Sequence, residues 1–511
     1  MPSRYLQGRR EVWRVVTMGG SSASGAPVVL GIDLGTSSVK VIALCGSSVV
    51  AEASKSYEIS SPQPGWREID PALWWEASKA AVAEVASKVD GDISAIGVTG
   101  QMHTLVPIDV EGAPVRPALM WNDVRTADLV PRVRASLNAA GEDYLARLVS
   151  TGSPAANLVW LKTQEPASFA KLDRFLIGPD WIVFKLTGSV ETDYCEASTS
   201  SLFNLEEWAW SERACVSLGI PQSILPPVRG AAQVAGHVCD GLAEELGIPA
   251  GIPVVHGTGD NPAAAVTTGC LVQGRTVISL GTSGVLMARR DTPDFSARGK
   301  NILFSADGKD VRCLVQGAIQ SCGSTRSWLI ERILQASSYD GVDGQADASR
   351  AGTGELLFFP HMTGEKTLFA DPSLRGAFIG LTPETSRADL DLAVMEGIAY
   401  GFRQLASEMA IPLDVREPLL AVGGGARSST WLQVLADVLK CPIQRVEGPS
   451  GAAVGAAVLA LTGALGCPEP EVVSFGAVFE PGAAADNHDR KYKRYLHIRE
   501  ALKSIPSEYD L

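Results

Sequence analysis

The chain has 511 residues, a formal net charge of -13 and a hydrophobic share of 46%, enough for two or three cores in an ordinary globular protein. That acidic balance speaks against nucleic acid as a partner, so an anionic substrate must be met by local donors such as backbone N–H groups and helix N-termini. The nine cysteines stand singly, without a C-x-x-C pair or closely spaced histidines; this argues against a secreted disulfide framework and a structural zinc site, and fits a reducing cytoplasm.

Residues 1–27 hold Arg4, Arg9, Arg10 and Arg14 against Glu11 alone, then a Gly/Ser run into Pro27. They lack the apolar core of a signal peptide and read as a disordered N-terminal extension, with Met18 as an alternative start and a transit segment as a further reading. From Val28 short β-branched strands alternate with Ala-rich amphipathic stretches, which predicts α/β architecture. The strand Val28–Ile32 delivers Asp33, and the helical run Leu73–Val89 is followed by the strand Ile93–Val98. A further strand at Pro253–His256 leads through Gly257-Thr258-Gly259 into a helix at Ala263–Val266, and the boundary between two lobes is expected near Gln273-Gly274. The second lobe repeats the scheme, with strands at Val277–Met287 and Leu419–Val422, helices around Trp328 and Val394, and an uncharged Gly/Ala-rich helix beyond Ser450. That last stretch, interrupted by Thr462, is no membrane span. Two α/β lobes enclosing a cleft are the expected result: 28–273 and 274–511.

The tetrapeptide Leu-Gly-Thr-Ser occurs twice, at Leu34–Ser37 and Leu280–Ser283, each time between apolar runs. The glycines predict turns with positive φ, and the hydroxyls and successive N–H groups suit phosphate oxygens; an ordinary hairpin turn would look the same. In Gly257-Thr258-Gly259-Asp260-Asn261-Pro262, Asp260 stands where a strand hands over to a helix. It reads either as a helix N-cap or as a carboxylate, kept ionised by the helix dipole, that accepts a proton from a hydroxyl. Gly423-Gly424-Gly425-Ala426 exposes bare backbone after a strand, as a flat ligand or a plain surface loop requires. Gln101 and His103 fall on one face if the preceding strand continues, and Trp121-Asn122-Asp123-Val124-Arg125 mixes an aromatic face with polar groups that suit carbohydrate. A rim of solvated charges around a core Trp would share that pattern.

Taken together these segments resemble the FGGY carbohydrate kinases of the actin-like ATPase superfold, from Val28 to about Leu502. Gly31–Ser37 and Gly281-Thr282-Ser283 are similar to the two phosphate motifs, Gly257–Asn261 to the catalytic segment, Gly376–Leu381 to the C-terminal signature and Gly423–Ala426 to the adenosine loop. The resemblance implies two actin-like (ribonuclease H-like) lobes, the first for sugar and phosphate and the second for adenosine. It further implies ATP with Mg²⁺, and a ketopentose acceptor, D-xylulose, read from Gly100–His103 with Trp121–Asp123. By position, Asp260 would be the general base and would hold the metal with Asp33. Gln101, Met102, His103, Trp121, Asp123, Asp260 and Asn261 would meet the sugar, and Gly35, Thr36, Ser37, Gly281, Thr282, Ser283, Gly424, Gly425 and Ala426 the nucleotide. Thr104, Thr258 and Asn157 depart from the family pattern, which bears on the sugar more than on the reaction. Kinases of ribulose, gluconate or glycerol, and ATPases of the actin or chaperone type, are the rival readings. Neither a membrane nor nucleic acid is an expected partner; a homodimer is compatible with the sequence, which does not select it.

Overall fold

The computed structural model describes residues 26–336 and 351–502, apart from 366, 370, 372–373 and 414–415. The extension expected over residues 1–27 therefore lies outside the described residues but for its last two. Strands β1 (Val28–Leu34), β2 (Ser38–Cys45) and β3 (Ser48–Ser56) form an antiparallel meander. Helix α1 (Pro71–Ala86) leads into β4 (Ile93–Gly100), which pairs parallel with β1. Asp70 accepts a hydrogen bond from Ala72 N at 2.9 Å, and Pro71 takes the first helical position, where its missing N–H costs nothing. Strands β5 (Val234–His237), β6 (Pro253–Val255) and β7 (Thr258–Gly259) complete a seven-stranded sheet of order β5-β6-β4-β1-β2-β3, with β7 also on β4.

The second sheet, also of seven strands among the described residues, repeats this plan. Strands β8 (Val277–Leu280), β9 (Gly284–Arg290), β10 (Lys300–Phe304), β11 (Arg312–Ile319), β12 (Leu419–Val422), β13 (Ile443–Glu447) and β14 (Ser474–Phe479) have the order β10-β11-β9-β8-β12-β13-β14. Position by position, β3-β2-β1-β4-β6-β5 corresponds to β11-β9-β8-β12-β13-β14, with antiparallel and parallel pairings in the same places. The outer edge strand comes before its neighbour in the chain in the first sheet and after it in the second. Between the lobes Gly269 and Gly274 flank a single helical turn, Cys270–Gln273, both in the left-handed region that glycine enters without strain.

The two copies differ in what interrupts them. In the first, residues 101–233 are inserted after β4 and carry most of a four-stranded satellite sheet and several helices, among them α2 (Tyr194–Thr199). In the second, residues 423–442 hold only a glycine turn and a helix, Ser429–Leu439.

Helix α3 (Asp260–Thr267) follows β7 and packs on α4 (Ala452–Gly463), the Gly/Ala-rich helix. Although α4 is encoded after β13, it lies across β1 and β4 of the first sheet. An added Cβ at Gly31 would overlap the carbonyl oxygen of Ala453, one at Gly97 that of Ala456, and one at Gly455 that of Ala263. Small residues are therefore a geometric demand of this seam, where backbones touch. A single apolar cluster then joins Val29, Ile42 and Ala95 of the first sheet to Val277, Ile302 and Leu420 of the second through Val454 and Val458.

Candidate active site

The register of the first sheet sets the acids. Asp33 of β1 stands beside Thr99 of β4, and Thr99 beside Thr258 of β7, whose carbonyl accepts the Thr99 hydroxyl at 2.7 Å. Gly259 pairs with Gly100, so Asp260, one residue further, stands at the same carboxyl edge as Asp33. Asp260 is the first residue of α3 rather than its cap, a role that falls to Gly259, and its Oδ1 accepts the N–H of Asn261 at 2.7 Å. The helix end also fails to keep the carboxylate at an ordinary pKa. Burial first, and then the charge of Asp33, push Asp260 up to about 7 against the opposing pull of Lys300. Burial likewise raises Asp33 to about 6, with Lys40 opposing.

Both Leu-Gly-Thr-Ser segments form the tips of the first hairpins of their sheets, β1–β2 and β8–β9. The predicted positive φ is absent at Gly35 and Gly281. Gly35 is instead required by crowding, since a Cβ there would come within 2.9 Å of the Ser38 carbonyl oxygen; at Gly281 the approach is looser, 3.4 Å from that of Ser283. Each tip is fastened to the chain leaving the third strand of its meander. Tyr57 donates its N–H to Ser37 O at 3.1 Å and its hydroxyl to Gly35 O. Gly323 N donates to Gly281 O at 2.8 Å and Ser324 N to Thr282 O at 3.1 Å. The glycine loop lies against the second tip: Gly423, at φ +90°, leaves no room for a Cβ beside the Leu280 backbone, and Gly425 is pressed between Leu280 and Trp431. Gly424 and Gly425 turn in a short 3-10 segment and Ala426 is buried.

On the other side of the acids, β4 stops at Gly100, so Gln101 and His103 do not continue a strand face. Gln101 and Met102 are buried, while His103 takes a left-handed φ of +70°, unusual for a residue with a Cβ. Its N–H donates to Glu196 Oε2 of α2 at 3.3 Å, and its Nε2 lies 2.7 Å from Nζ of Lys300. Asn261 Nδ2 reaches Met102 Sδ at 3.7 Å. Trp121 is 40% exposed and donates its indole N–H to the Thr36 hydroxyl at 3.1 Å, tying this side to the first hairpin tip. Asp123 behaves differently: it is fully buried, its oxygens taken by the Arg125 guanidinium and by the N–H groups of Arg67 and Arg125. Arg125 in turn lies over Trp66, 3.8 Å from the ring centre. Neither a solvated rim nor a sugar-facing carboxylate describes this pair, which braces the Trp121 segment from beneath.

Two residues escaped sequence reasoning. Glu196 is held far above the ordinary carboxylate range by burial and by Asp193, Asp180 and Asp260 nearby. Lys300, at the start of β10, approaches from the second lobe. Both lie far along the chain from His103 and belong to no motif. The capping of α2 by Asp193 is the nearest sequence signal. Among the described residues no cluster of three or more His, Cys, Asp or Glu is arranged to hold a metal, and no helix is long and apolar enough to cross a membrane.

With this geometry in hand, two family models match the chain: the FGGY family of carbohydrate kinases, N-terminal domain, over residues 28–267, and the C-terminal domain of the same family over 276–464. The chain is 32% identical to the xylulose kinase of Staphylococcus xylosus, over 85% of this chain and 90% of that one. It is 30% identical to a glycerol kinase of Cereibacter sphaeroides, over 93% and 99%. Among solved structures, a "xyloylose kinase" from Brucella ovis superposes with a TM-score of 0.84 at 30% identity, over 94% of this chain and all of that one.

Proposed function

The chain belongs to the FGGY family of carbohydrate kinases, and from that premise we propose that it transfers the γ-phosphoryl group of ATP to a primary hydroxyl of D-xylulose, giving D-xylulose 5-phosphate. The observation that carries the reading is the edge shared by Asp33 and Asp260, two recessed carboxylates flanked by the hairpin tip of half-buried Thr36 and exposed Ser37 on one side and by Met102, His103 and Asn261 on the other. The likeness to curated xylulose kinases, that of Staphylococcus xylosus among them, supports D-xylulose as the sugar. The same residues offer an ATPase of the actin or chaperone type no evident use for His103 and Asn261 as a set.

In this proposal Asp260 orients the acceptor hydroxyl and takes its proton as the O–P bond forms and the bond to the leaving ADP oxygen breaks. Phosphoryl transfer passes through a loose transition state, so alignment and charge neutralisation supply most of the acceleration. The tips Gly35-Thr36-Ser37 and Gly281-Thr282-Ser283 offer N–H and hydroxyl donors to the phosphates, and Gly424-Gly425-Ala426 the bare backbone that adenosine needs. Met102, His103, Asn261 and Trp121 hold the sugar with Gln101 behind them, and Asp123 enters as a support. Two carboxylates at one edge, both raised by burial and Asp260 further by Asp33, form an oxygen donor set that suits Mg²⁺, which typically takes one or two carboxylates plus phosphate oxygens. Asp33 and Asp260 would hold it, and when bound it neutralises phosphate charge.

The test is coupled ADP release with D-xylulose, ribulose, gluconate and glycerol. D-xylulose is expected to give the highest kcat/KM; preference for glycerol or gluconate would overturn the acceptor. Asp260→Asn is expected to lower kcat by about 10²-fold or more with ATP affinity nearly unchanged, and near-normal turnover would remove Asp260 from the base role.

A further inference from the structure

We infer that Lys300 completes the sugar site from the second lobe, fixing His103 as the donor that meets a sugar hydroxyl. The inference rests on the sugar-kinase reading above. An ammonium group has three N–H donors and no acceptor. The 2.7 Å approach of Lys300 Nζ to His103 Nε2 is therefore a hydrogen bond donated by the lysine, which leaves the imidazole neutral with its ring proton on Nδ1. The backbone of His103 is already set in its left-handed conformation by Glu196, so the lysine orders the one part of the residue that the backbone does not.

The position of Lys300 is itself built. Strand β10 is the edge of the second sheet, and it is fastened to the insertion of the first lobe by two hydrogen bonds, Leu303 N to Ser198 Oγ at 3.0 Å and Asn301 N to the Tyr144 hydroxyl at 3.2 Å. Ser198 lies on α2, two residues after Glu196, so the same short helix steadies His103 from one side and the strand carrying its partner from the other. Lys300 is half-buried, and its charge is also felt by Asp260 and by Cys195. Sugar recognition then requires both lobes, although the insertion of the first lobe supplies every other contact on that side except Asn261.

The test compares D-xylulose binding by calorimetry, without ATP, in the parent, Lys300→Met, Lys300→Arg and His103→Ala. Lys300→Met is expected to weaken sugar binding about tenfold, the scale of one hydrogen bond to a charged group, while the KM for ATP at saturating sugar changes less than about twofold. Lys300→Arg, which keeps a cationic donor, is expected to recover most of the loss. Unchanged sugar affinity in Lys300→Met, equal loss in both lysine variants, or an ATP KM that rises as much as the sugar dissociation constant would each overturn the inference. A His103→Ala variant that binds sugar normally would instead remove the His103 contact on which it rests, so the two failures read differently.

Discussion

His103, in the proposed sugar site, takes a left-handed φ of +70° on a residue with a Cβ, and the buried Glu196 carboxylate that accepts its N–H helps keep it there. His103→Ala is expected to raise the KM for sugar more than that for ATP; the reverse ranking in initial-rate kinetics would reassign the segment. Tyr57 has the complementary place beside the first hairpin tip. Its hydroxyl donates to the Gly35 carbonyl, and burial together with Asp33 raises its pKa far above that of a free phenol, so it remains a donor throughout the working range. Tyr57→Phe leaves that carbonyl unpaired, and a loss of about 1 kcal/mol should appear as a rise of about fivefold in the KM for ATP with sugar KM unchanged. At this scale the sequence was readable where chemistry is local: Asp33, Asp260, the paired Gly-Thr-Ser tips and the glycine loop all stand at strand ends that periodicity locates. It was unreadable where partners are distant. Nothing near Lys300 or Glu196 in the chain announces His103. Asp123 misleads although its partner Arg125 is only two residues on, because the sequence does not tell whether neighbouring charges meet each other, a ligand or solvent.

Helix α4 was legible as a packed helix from its lack of charge, but not the sheet it would cover, since composition says that backbones can approach and not which ones. The overlap of an added Cβ at Gly455 with the Ala263 carbonyl gives a measurable consequence. Gly455→Ala is expected to destabilise by about 1–3 kcal/mol, read as a lower midpoint in chemical unfolding, because the Ala263 atoms it would meet are backbone and cannot yield as a side chain would. The C-terminal helix Ala485–Leu502 supplies a pH test. Its His488 is buried and bonded to the Tyr400 hydroxyl at 2.8 Å; burial first, and then Lys491 and Arg403, depress it from 6.5 to about 4. The unfolded chain binds a proton below pH 6.5 that the fold refuses until about 4. The stability this histidine contributes is thus complete above pH 6.5 and is lost as pH falls toward 4, by about 3 kcal/mol. Asp180, raised to about 8 by burial, works in the opposite sense. The informative quantity is therefore the difference in melting temperature between the parent and His488→Gln, which should shrink as the solution is acidified from pH 7 to 4.

At the scale of the molecule, the echo of four residues proved to mark the corresponding hairpins of two sheets with one plan, so the two-lobed α/β architecture was legible from a short repeat. The exchange between lobes was not, because a helix encoded late in the chain gives no sign that its seat was encoded early. We place the division between lobes at 273/274, and α4 on β1 and β4 makes the halves interdependent. Residues 28–273 expressed alone are expected to be insoluble or to bind apolar dyes, since the face of β1 and β4 loses its cover, whereas co-expression with 274–511 should recover a soluble pair. A soluble, cooperatively unfolding first half would contradict this. The asymmetry of the two copies, residues 101–233 in one against 423–442 in the other, carries a further meaning for descent. On the proposed assignment, most of the groups that would meet the acceptor sit in an appendage hung from one strand end, outside the duplicated scaffold proposed to hold the nucleotide, so a lineage could trade one sugar for another by editing that appendage while its energy-transfer apparatus was inherited intact.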